Sequence, residues 1–348
     1  MTEQLPLQLN KGALGEESLK NYFQSNGFIA IRGIKYRYNK IDISDVDVFV
    51  YAKVGGFLRQ RINVDVKNKK TPQAIERIFW TKGLMEALKF DKCVVATTDK
   101  RYDTKQFGEE LGVQVIDGEF MEKIQTRYLE GQESISEEEL EAMLNGYLYS
   151  APKRTYMSMI NDAKQLCISQ FQYSGINLLI NDIKLMIQEM RATSIDSPKN
   201  LRSIYFLIGC LEIAFDYRFS QMSFSTREQK SRRITDGFKY GDLGSENIQR
   251  MFQMSLSLAE SAGVSMAQID HLRADFEDSL SDEHYERLSD YVSKQDVING
   301  IYDCAKETIG IAYSKKIVRP IDLPAISKGI LAIMADQAGI ERSFIFEQ

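Results

Sequence analysis

Histidine is almost missing from this chain of 348 residues, which holds only His271 and His284. A histidine-based catalytic triad or zinc site is therefore hard to assemble. Cysteine is also sparse, and no two cysteines have C-x-x-C spacing. The four are Cys93, Cys167, Cys210 and Cys304. We expect these cysteines to be buried free thiols in a reducing compartment.

Long hydrophobic runs are absent as well. No apolar stretch approaches the roughly 18 residues that a membrane-spanning helix needs. The N-terminal sequence MTEQLPLQLNKG has neither the cationic start nor the apolar centre of a secretory signal. The sequence therefore predicts a cytoplasmic protein that has no membrane contact.

Charge is unevenly distributed along the chain, although the net charge is only -5. Residues 1–130 hold 21 Lys and Arg against 18 Asp and Glu, whereas the remainder holds 23 against 31. The length suggests two domains, possibly three. A mildly basic first part followed by an acidic second part is compatible with polyanion contact near the N-terminus.

The most informative stretch runs from residue 45 to residue 70, where two alternating strands are joined by a glycine-containing turn. Asp47 lies at the start of the first strand, and Asp65-Val66-Lys67 ends the second. Because side chains alternate between the two faces of a strand, pairing would bring Asp47, Asp65 and Lys67 together on one face.

Two neighbouring carboxylates and an ammonium group have a chemical consequence. Carboxylates about 4 Å apart repel by about 4 kcal/mol at an effective dielectric constant of about 20. Such a pair takes up a proton, shares the lysine or recruits a cation. Carboxylate oxygens suit Mg²⁺, which also binds phosphate oxygens, and a nearby lysine could orient an attacking water. The pattern predicts phosphodiester hydrolysis, and the alternative is a solvated strand end with a salt bridge.

The elements around this hairpin predict an α/β sheet with at least one parallel crossover. An amphipathic helix is expected at 11–26, a strand at 28–34 and a basic, aromatic loop at 36–40. A helix through about residue 88, a strand at 92–98, a helix at 104–111 and a strand at 113–116 follow.

From about residue 130 the sequence becomes acidic and then helical throughout. Predicted helices cover 137–148, 155–171, 173–193, 200–220, 245–262, 266–279, 284–294, 296–314 and 322–338. A glycine-containing loop is expected at 236–245. One basic cluster, with Arg227, Lys230 and Lys239, could meet DNA or an acidic partner, and a solvated face is the alternative.

The first third of the chain resembles the PD-(D/E)xK nuclease superfamily, in particular Mrr-type restriction endonucleases and Holliday-junction resolvases. The resemblance covers roughly residues 10–125. It is carried by Lys11-Gly12 with Glu16 and Gly27-Phe28, by Asp47 before Val48-Phe49-Val50 with Asp65-Val66-Lys67, and by VVATT followed by a helix and VQVIDGEFM. The proline that names the superfamily is absent, since Val46 precedes Asp47.

The resemblance implies a fold, a domain division and a set of site residues. Residues 1–128 would form a restriction-endonuclease-like domain, a mixed sheet flanked by helices, and 129–348 an all-α domain for recognition, dimerisation or regulation. Asp47, Asp65, the Val66 carbonyl and Glu16 would bind Mg²⁺ or Mn²⁺, while Lys67 would orient the water. Asp45 and Glu17 are neighbouring alternatives to Asp47 and Glu16, and Glu16 could instead be a solvated acid near the helix start.

Four residues are candidate nucleic-acid contacts. Lys69 and Lys70 form a cationic pair that could contact phosphate or be simply solvated. Arg37 belongs to the predicted basic loop. Relatives often direct a polar side chain from the following helix toward the site, which makes Gln73 a candidate.

The resulting expectation is a magnesium-dependent endodeoxyribonuclease of the restriction or phage-defence type, acting on DNA as a homodimer or with a partner subunit. Two alternatives remain open: a catalytically silent nucleic-acid-binding or assembly module that keeps the nuclease fold, and a Holliday-junction resolvase. RNA remains an alternative substrate.

Overall fold

A five-stranded mixed sheet organises the first part of the chain. The computed structural model describes residues 9–39, 41–68, 73–131, 134–145, 154–192, 197–280 and 283–347. The strands are β1 (Ile29–Tyr38), β2 (Ile41–Lys53), β3 (Arg59–Lys67), β4 (Lys92–Thr97) and β5 (Gln114–Ile116), and they lie in this order across the sheet. The expected α/β domain with a mixed sheet is confirmed at this level.

The type of strand pairing changes once across the sheet, from antiparallel to parallel. β1, β2 and β3 pair antiparallel, with Ile29 opposite Tyr51 and Val48 opposite Val64. β3, β4 and β5 pair parallel, so each connection between them crosses over through a helix. The first three strands therefore form a meander, and the last two add crossover units beside it.

Helices flank the sheet and make up most of the remaining chain, as expected. In the first part they are α1 (Lys11–Ser25), α2 (Ala74–Leu88), α3 (Tyr102–Glu110) and α4 (Gly118–Glu130). The rest are α5 (Glu137–Leu144), α6 (Tyr156–Ile168), α7 (Tyr173–Ala192), α8 (Pro198–Ser220), α9 (Arg227–Tyr240), α10 (Gly244–Ser261), α11 (Met266–Leu280), α12 (Glu283–Val292), α13 (Gln295–Tyr313), α14 (Ala325–Gln337) and α15 (Arg342–Phe346). Short 3₁₀ turns occur at Gly241–Leu243 and Pro320–Asp322.

The two faces of the sheet have separate apolar cores. α1 and α4 cover one face, where Leu19 packs in a small cluster with Val48 and Val64. The other face joins a larger cluster that runs from Phe49 and Tyr51 through α2 into the helical part of the chain. The sheet and the helical part thus share one continuous core, and α4 crosses the predicted domain boundary at residue 128.

Four segments differ from the predicted secondary structure. The expected loop at 36–40 is strand over 36–38, because β1 extends to Tyr38, and β2 already begins at Ile41; residue 40 lies outside the described residues. Helices at α4, α9 and α15 were not predicted. α9 reaches into the expected loop at 236–245, and Thr226 and Gln229 form a capping box at its start.

All four cysteines are buried free thiols, as predicted, whereas the reducing compartment stays a prediction. Of the helices in the described ranges, none combines the length and the apolar character required to traverse a bilayer.

Candidate active site

Asp47, Val66 and Lys67 meet where β2 and β3 run side by side at the end of the hairpin away from its turn. The Val66 amide donates a hydrogen bond of 2.7 Å to Oδ2 of Asp47. The Lys67 ammonium lies 3.8 Å from the same oxygen. Asp47 is largely buried, with 14% of its side chain exposed, while Lys67 keeps 30% exposed. The alternation in the sequence therefore predicted a real cross-strand contact between Asp47 and Lys67.

Asp47 is the electrostatic centre of this group. The pKa of Asp47 is raised from its usual 3.8 to about 7, chiefly by burial and then by the neighbouring Asp65 carboxylate. Lys67 and the Val66 amide oppose this rise, and Glu16 adds a smaller upward contribution. The other three predicted catalytic side chains, those of Glu16, Asp65 and Lys67, are thus all close enough to act on the carboxyl group of Asp47.

Asp65 is held by an arginine that the sequence did not single out. Nε of Arg77 donates to Oδ2 of Asp65 at 2.8 Å, and Nη2 of the same guanidinium donates to Oδ1. Asp65 is 5% exposed, so this bidentate pair is well protected from water. Arg77 also lies 5.8 Å from the ring of Trp80, one turn further along α2. Both oxygens of the better buried carboxylate are therefore occupied by one side chain.

Glu16 is likewise paired with an arginine, Arg32 of β1. Nε of Arg32 donates to Glu16 at 2.8 Å, and its Nη1 reaches Glu17 at 3.1 Å. The remaining donors form two 2.8 Å hydrogen bonds with Glu138 of α5. Burial raises the pKa of Glu16, and Arg32 opposes this shift. Arg32 thereby connects the candidate site to the helical part of the chain.

A second buried ion pair continues this connection. Lys164 of α6 donates to the backbone carbonyl of Arg32 at 2.9 Å and to Glu137 at 2.6 Å. Tyr313 of α13 donates to the other oxygen of Glu137 at 2.6 Å. The first helix, the edge strand and three helices of the second part are therefore joined by one polar network next to Glu16.

The two predicted nucleic-acid contacts that the structure describes, Gln73 and Arg37, are exposed and each has an acidic partner. The Gln73 amide lies 3.5 Å from Glu76 on the exposed surface of α2. Arg37 pairs with Asp42 at 2.7 Å, also in an exposed position. Lys69 and Lys70 lie outside the described residues. From α2, the side chain that reaches the site is that of Arg77. Arg77 lies one helical turn after Gln73, and its amide donates to the Gln73 carbonyl.

The site matches a divalent metal in the type of its ligands but not in their present arrangement. Asp47 and Asp65 offer carboxylate oxygens, which Mg²⁺ prefers, and the pKa of Asp47 is raised chiefly by burial and then by the Asp65 carboxylate. In the part of the chain that the structure describes, however, no three acidic, histidine or cysteine side chains lie together as a metal-binding group. Arg77 occupies both oxygens of Asp65, whereas Arg32 contacts one oxygen of Glu16, so metal binding at Asp65 competes directly with its arginine.

The two arginines illustrate what pattern reading missed. Arg77 follows the predicted helix start by about one turn and faces the end of β3, which is a recognisable position for a side chain directed at the site. Arg32 alternates with the buried Ile31 on β1, but nothing in the linear sequence links it with Glu138, which lies 106 residues away. Only the three-dimensional packing identifies that partner.

No known protein family, curated protein or solved structure matches this chain.

Proposed function

We propose that this protein is a metal-dependent endonuclease that hydrolyses DNA phosphodiester bonds, with a restriction-endonuclease-like first domain. The observation that carries the proposal is the Lys67 ammonium 3.8 Å from Asp47, beside a second carboxylate, Asp65, that raises the pKa of Asp47. A buried acidic pair with an adjacent lysine suits a site that binds a cation and a phosphate group together.

The residues of the chain take distinct roles in this proposal. Asp47, Asp65 and the Val66 carbonyl would hold Mg²⁺ or Mn²⁺, and Glu16 would complete the site. When bound, the metal polarises a phosphate oxygen and makes water a better nucleophile. Lys67 keeps nearly a third of its side chain exposed, so its ammonium can orient a water molecule and offset charge that develops on the phosphate.

In this proposal, Asp65 and Glu16 each have two states, one paired with an arginine and one bound to the metal. Arg77 occupies both oxygens of Asp65 with charge-assisted hydrogen bonds. Once displaced, its guanidinium stays near the site as a fork of donors that suits a phosphate group. Arg77 would then neutralise the site before the metal binds and contact the DNA backbone afterwards.

The remaining parts of the proposal concern partners and location. A restriction or phage-defence role, with the helical part acting in recognition, control or contact with a second copy or a defence subunit, comes from the family resemblance. A cytoplasmic location is supported by four buried free cysteines, which remain reduced in that compartment.

The test is cleavage of supercoiled plasmid DNA in Mg²⁺ or Mn²⁺, with EDTA as the blank. We expect Asp65→Ala and Lys67→Ala each to lose at least about a hundredfold in rate, because each removes a group that acts in the transition state. Asp45→Asn is the matched control, since Asp45 lies two residues from Asp47 on β2 but is exposed.

The same assay separates the alternatives. Cleavage that is unchanged in both alanine variants would rule out the assignment, and preference for four-way over linear DNA would indicate a junction resolvase. An RNA substrate in parallel tests the nucleic acid class.

A catalytically silent binding module is the second candidate function. The observation that favours it is that two of the three carboxylates are already neutralised by arginine. This candidate predicts metal-independent DNA binding and no cleavage by the wild-type protein under any of the conditions above.

A further inference from the structure

A second polar cavity lies at the opposite end of the β2–β3 hairpin from the candidate active site. It has a volume of about 330 Å³ and is enclosed by the hairpin turn, the end of α8 and the starts of α9 and α13. Six residues of β2 separate Lys53 at its rim from Asp47, which corresponds to about 20 Å along the strand. The cavity is therefore distinct from the acidic site.

The lining of this cavity carries a cationic excess. Lys53, Arg59 and Lys230 line it, and Asp216 is the only carboxylate among the described lining residues. Asp216 does not compensate all three cations, because Arg59 donates to it at 2.8 Å and the Tyr51 hydroxyl at 2.6 Å. Asp216 is thus engaged by Arg59, and the two lysines, Lys53 and Lys230, have no carboxylate of their own in the cavity lining.

Lys230 is the decisive residue. Only 8% of its surface is exposed, and its ammonium has no hydrogen-bond or ion-pair partner among the described residues. The ammonium itself is not one of the fully buried polar atoms, so it is open to the cavity that the side chain lines. A lysine that is more than nine-tenths buried, lines a cavity and lacks a counter-ion indicates that the cavity accepts an anionic ligand.

The backbone around the cavity adds to this preference. Gln295 and Asn299, which line the cavity, belong to the first turns of α13, and the residue before that helix provides no side-chain cap. The amides at a helix start favour negative charge and are a common phosphate site. Ser220 and Ser223 also line the cavity, and their hydroxyls donate to the backbone carbonyls of Tyr217 and Ser220.

Two aromatic rings lie next in the chain to residues that line the cavity, although neither ring lines it. Phe57 follows the lining residue Gly56 and Phe224 follows the lining residue Ser223, and their ring centroids lie 5.8 Å apart. Both rings are open to solvent, with 52% and 93% of their surfaces exposed. Exposed rings beside a cationic cavity suit a nucleobase, which stacks on aromatic faces regardless of its identity.

We propose that this cavity binds a mononucleotide, with the phosphate at Lys230 and the start of α13 and the base against Phe57 and Phe224. The volume lies at the lower end of the range for small-molecule sites, which fits one nucleotide rather than a strand. This proposal does not depend on nuclease activity.

The test is calorimetric titration of the full-length protein in EDTA with AMP, ATP, inorganic phosphate and a 5′-phosphorylated single-stranded oligonucleotide. We expect AMP or ATP to bind more tightly than inorganic phosphate, because only the nucleotides carry a base. Lys230→Met should weaken nucleotide binding roughly tenfold to a hundredfold, since it removes the charged donor and keeps the apolar stem. Arg232→Met is the matched control, because it removes one exposed charge from the same helix.

A second variant keeps the test independent of folding. Phe224 is almost fully exposed, so Phe224→Ala leaves the core intact and should weaken AMP binding severalfold without changing phosphate binding. The proposal is overturned if millimolar AMP and ATP do not bind, if Lys230→Met binds them as the wild type does, or if the base adds nothing. Tighter Lys230-dependent binding of the oligonucleotide than of AMP would also overturn it, in favour of a strand end.

Discussion

The two ends of the β2–β3 hairpin carry opposite charge, and their ion pairs differ in how far they are exposed to solvent. At the end away from the turn, Asp47 and Lys67 are 3.8 Å apart, and both remain partly exposed. At the turn, Arg59 and Asp216 form a buried bidentate pair whose side chains are 5% and 2% exposed. Asp47 and Lys67 are therefore farther apart and more exposed to solvent than Arg59 and Asp216.

The difference separates charges available for chemistry from charges committed to structure. The raised pKa of Asp47 shows that its surroundings do not fully compensate its negative charge. Asp216 has a guanidinium and a tyrosine hydroxyl in contact, and the pair joins the hairpin to α8. Poor compensation is typical of functional sites, whereas a satisfied buried pair mainly fixes how two elements pack.

Replacing Arg59 should have the largest effect on stability. Arg59→Met leaves Asp216 charged and buried, so we expect a loss of about 3–5 kcal/mol in the free energy of unfolding, measured by urea denaturation. Lys67→Met is the comparison at the other end, and it should change stability by less than about 1 kcal/mol. Similar losses in the two variants would contradict the distinction drawn here.

Asp47→Asn should change how the free energy of unfolding depends on pH, because the charge of Asp47 is not fully compensated. The pKa of Asp47 in the folded protein is about 7, above its usual 3.8, so the folded state binds this proton more tightly than the unfolded state. Stability from this group is therefore present at low pH and is lost as pH rises toward 7. The variant, which cannot ionise there, should exceed the wild type at pH 8 by about 1–3 kcal/mol, and by less at pH 5.

Urea denaturation in EDTA at the two pH values gives this comparison. Asp45→Asn is again the control, because the exposed Asp45 should leave the pH dependence as it is in the wild type. Parallel pH profiles for the wild type and Asp47→Asn would show that the charge at Asp47 is compensated after all.

Arg77→Met should have the smallest effect, on metal binding. Removing the guanidinium frees both oxygens of Asp65, so we expect Mn²⁺ to bind about threefold to tenfold more tightly, as measured by electron paramagnetic resonance titration. Arg342→Met is the control, since Arg342 forms a comparable bidentate pair with Asp336 in the helical part of the chain. Weaker Mn²⁺ binding in Arg77→Met would mean that Arg77 supports the metal site rather than competing for it.

Much of the first domain could be predicted because its signals are local. Alternation along β2 and β3 placed Asp47 and Lys67 near each other, since the hairpin turn fixes which residues of the two strands can pair. The expected loop at 36–40 was wrong because polar residues there extend an exposed hairpin, in which neither face needs to be apolar.

The helices that were not predicted were missed for physical reasons that can be identified. α9 is strongly polar, and only Ile234 and Phe238 give it an apolar side, so periodicity is weak and its capping box was the better signal. α4 had both an Asp117 cap and apolar residues at helical spacing, Met121 and Ile124 among them, and could have been recognised. The arginine pairs and the cavity at Lys230 depend on contacts between distant segments.

The shared core of the sheet and the helical part has a practical consequence for anyone who wishes to separate them. Severing the chain after residue 128 would expose Tyr51 and the neighbouring isoleucines of β1 to water, on the part of the sheet face that α2 does not cover. A fragment in that condition should aggregate rather than fold. The two parts are therefore best dissected by single substitutions in the intact chain, and we expect them to melt together in one transition.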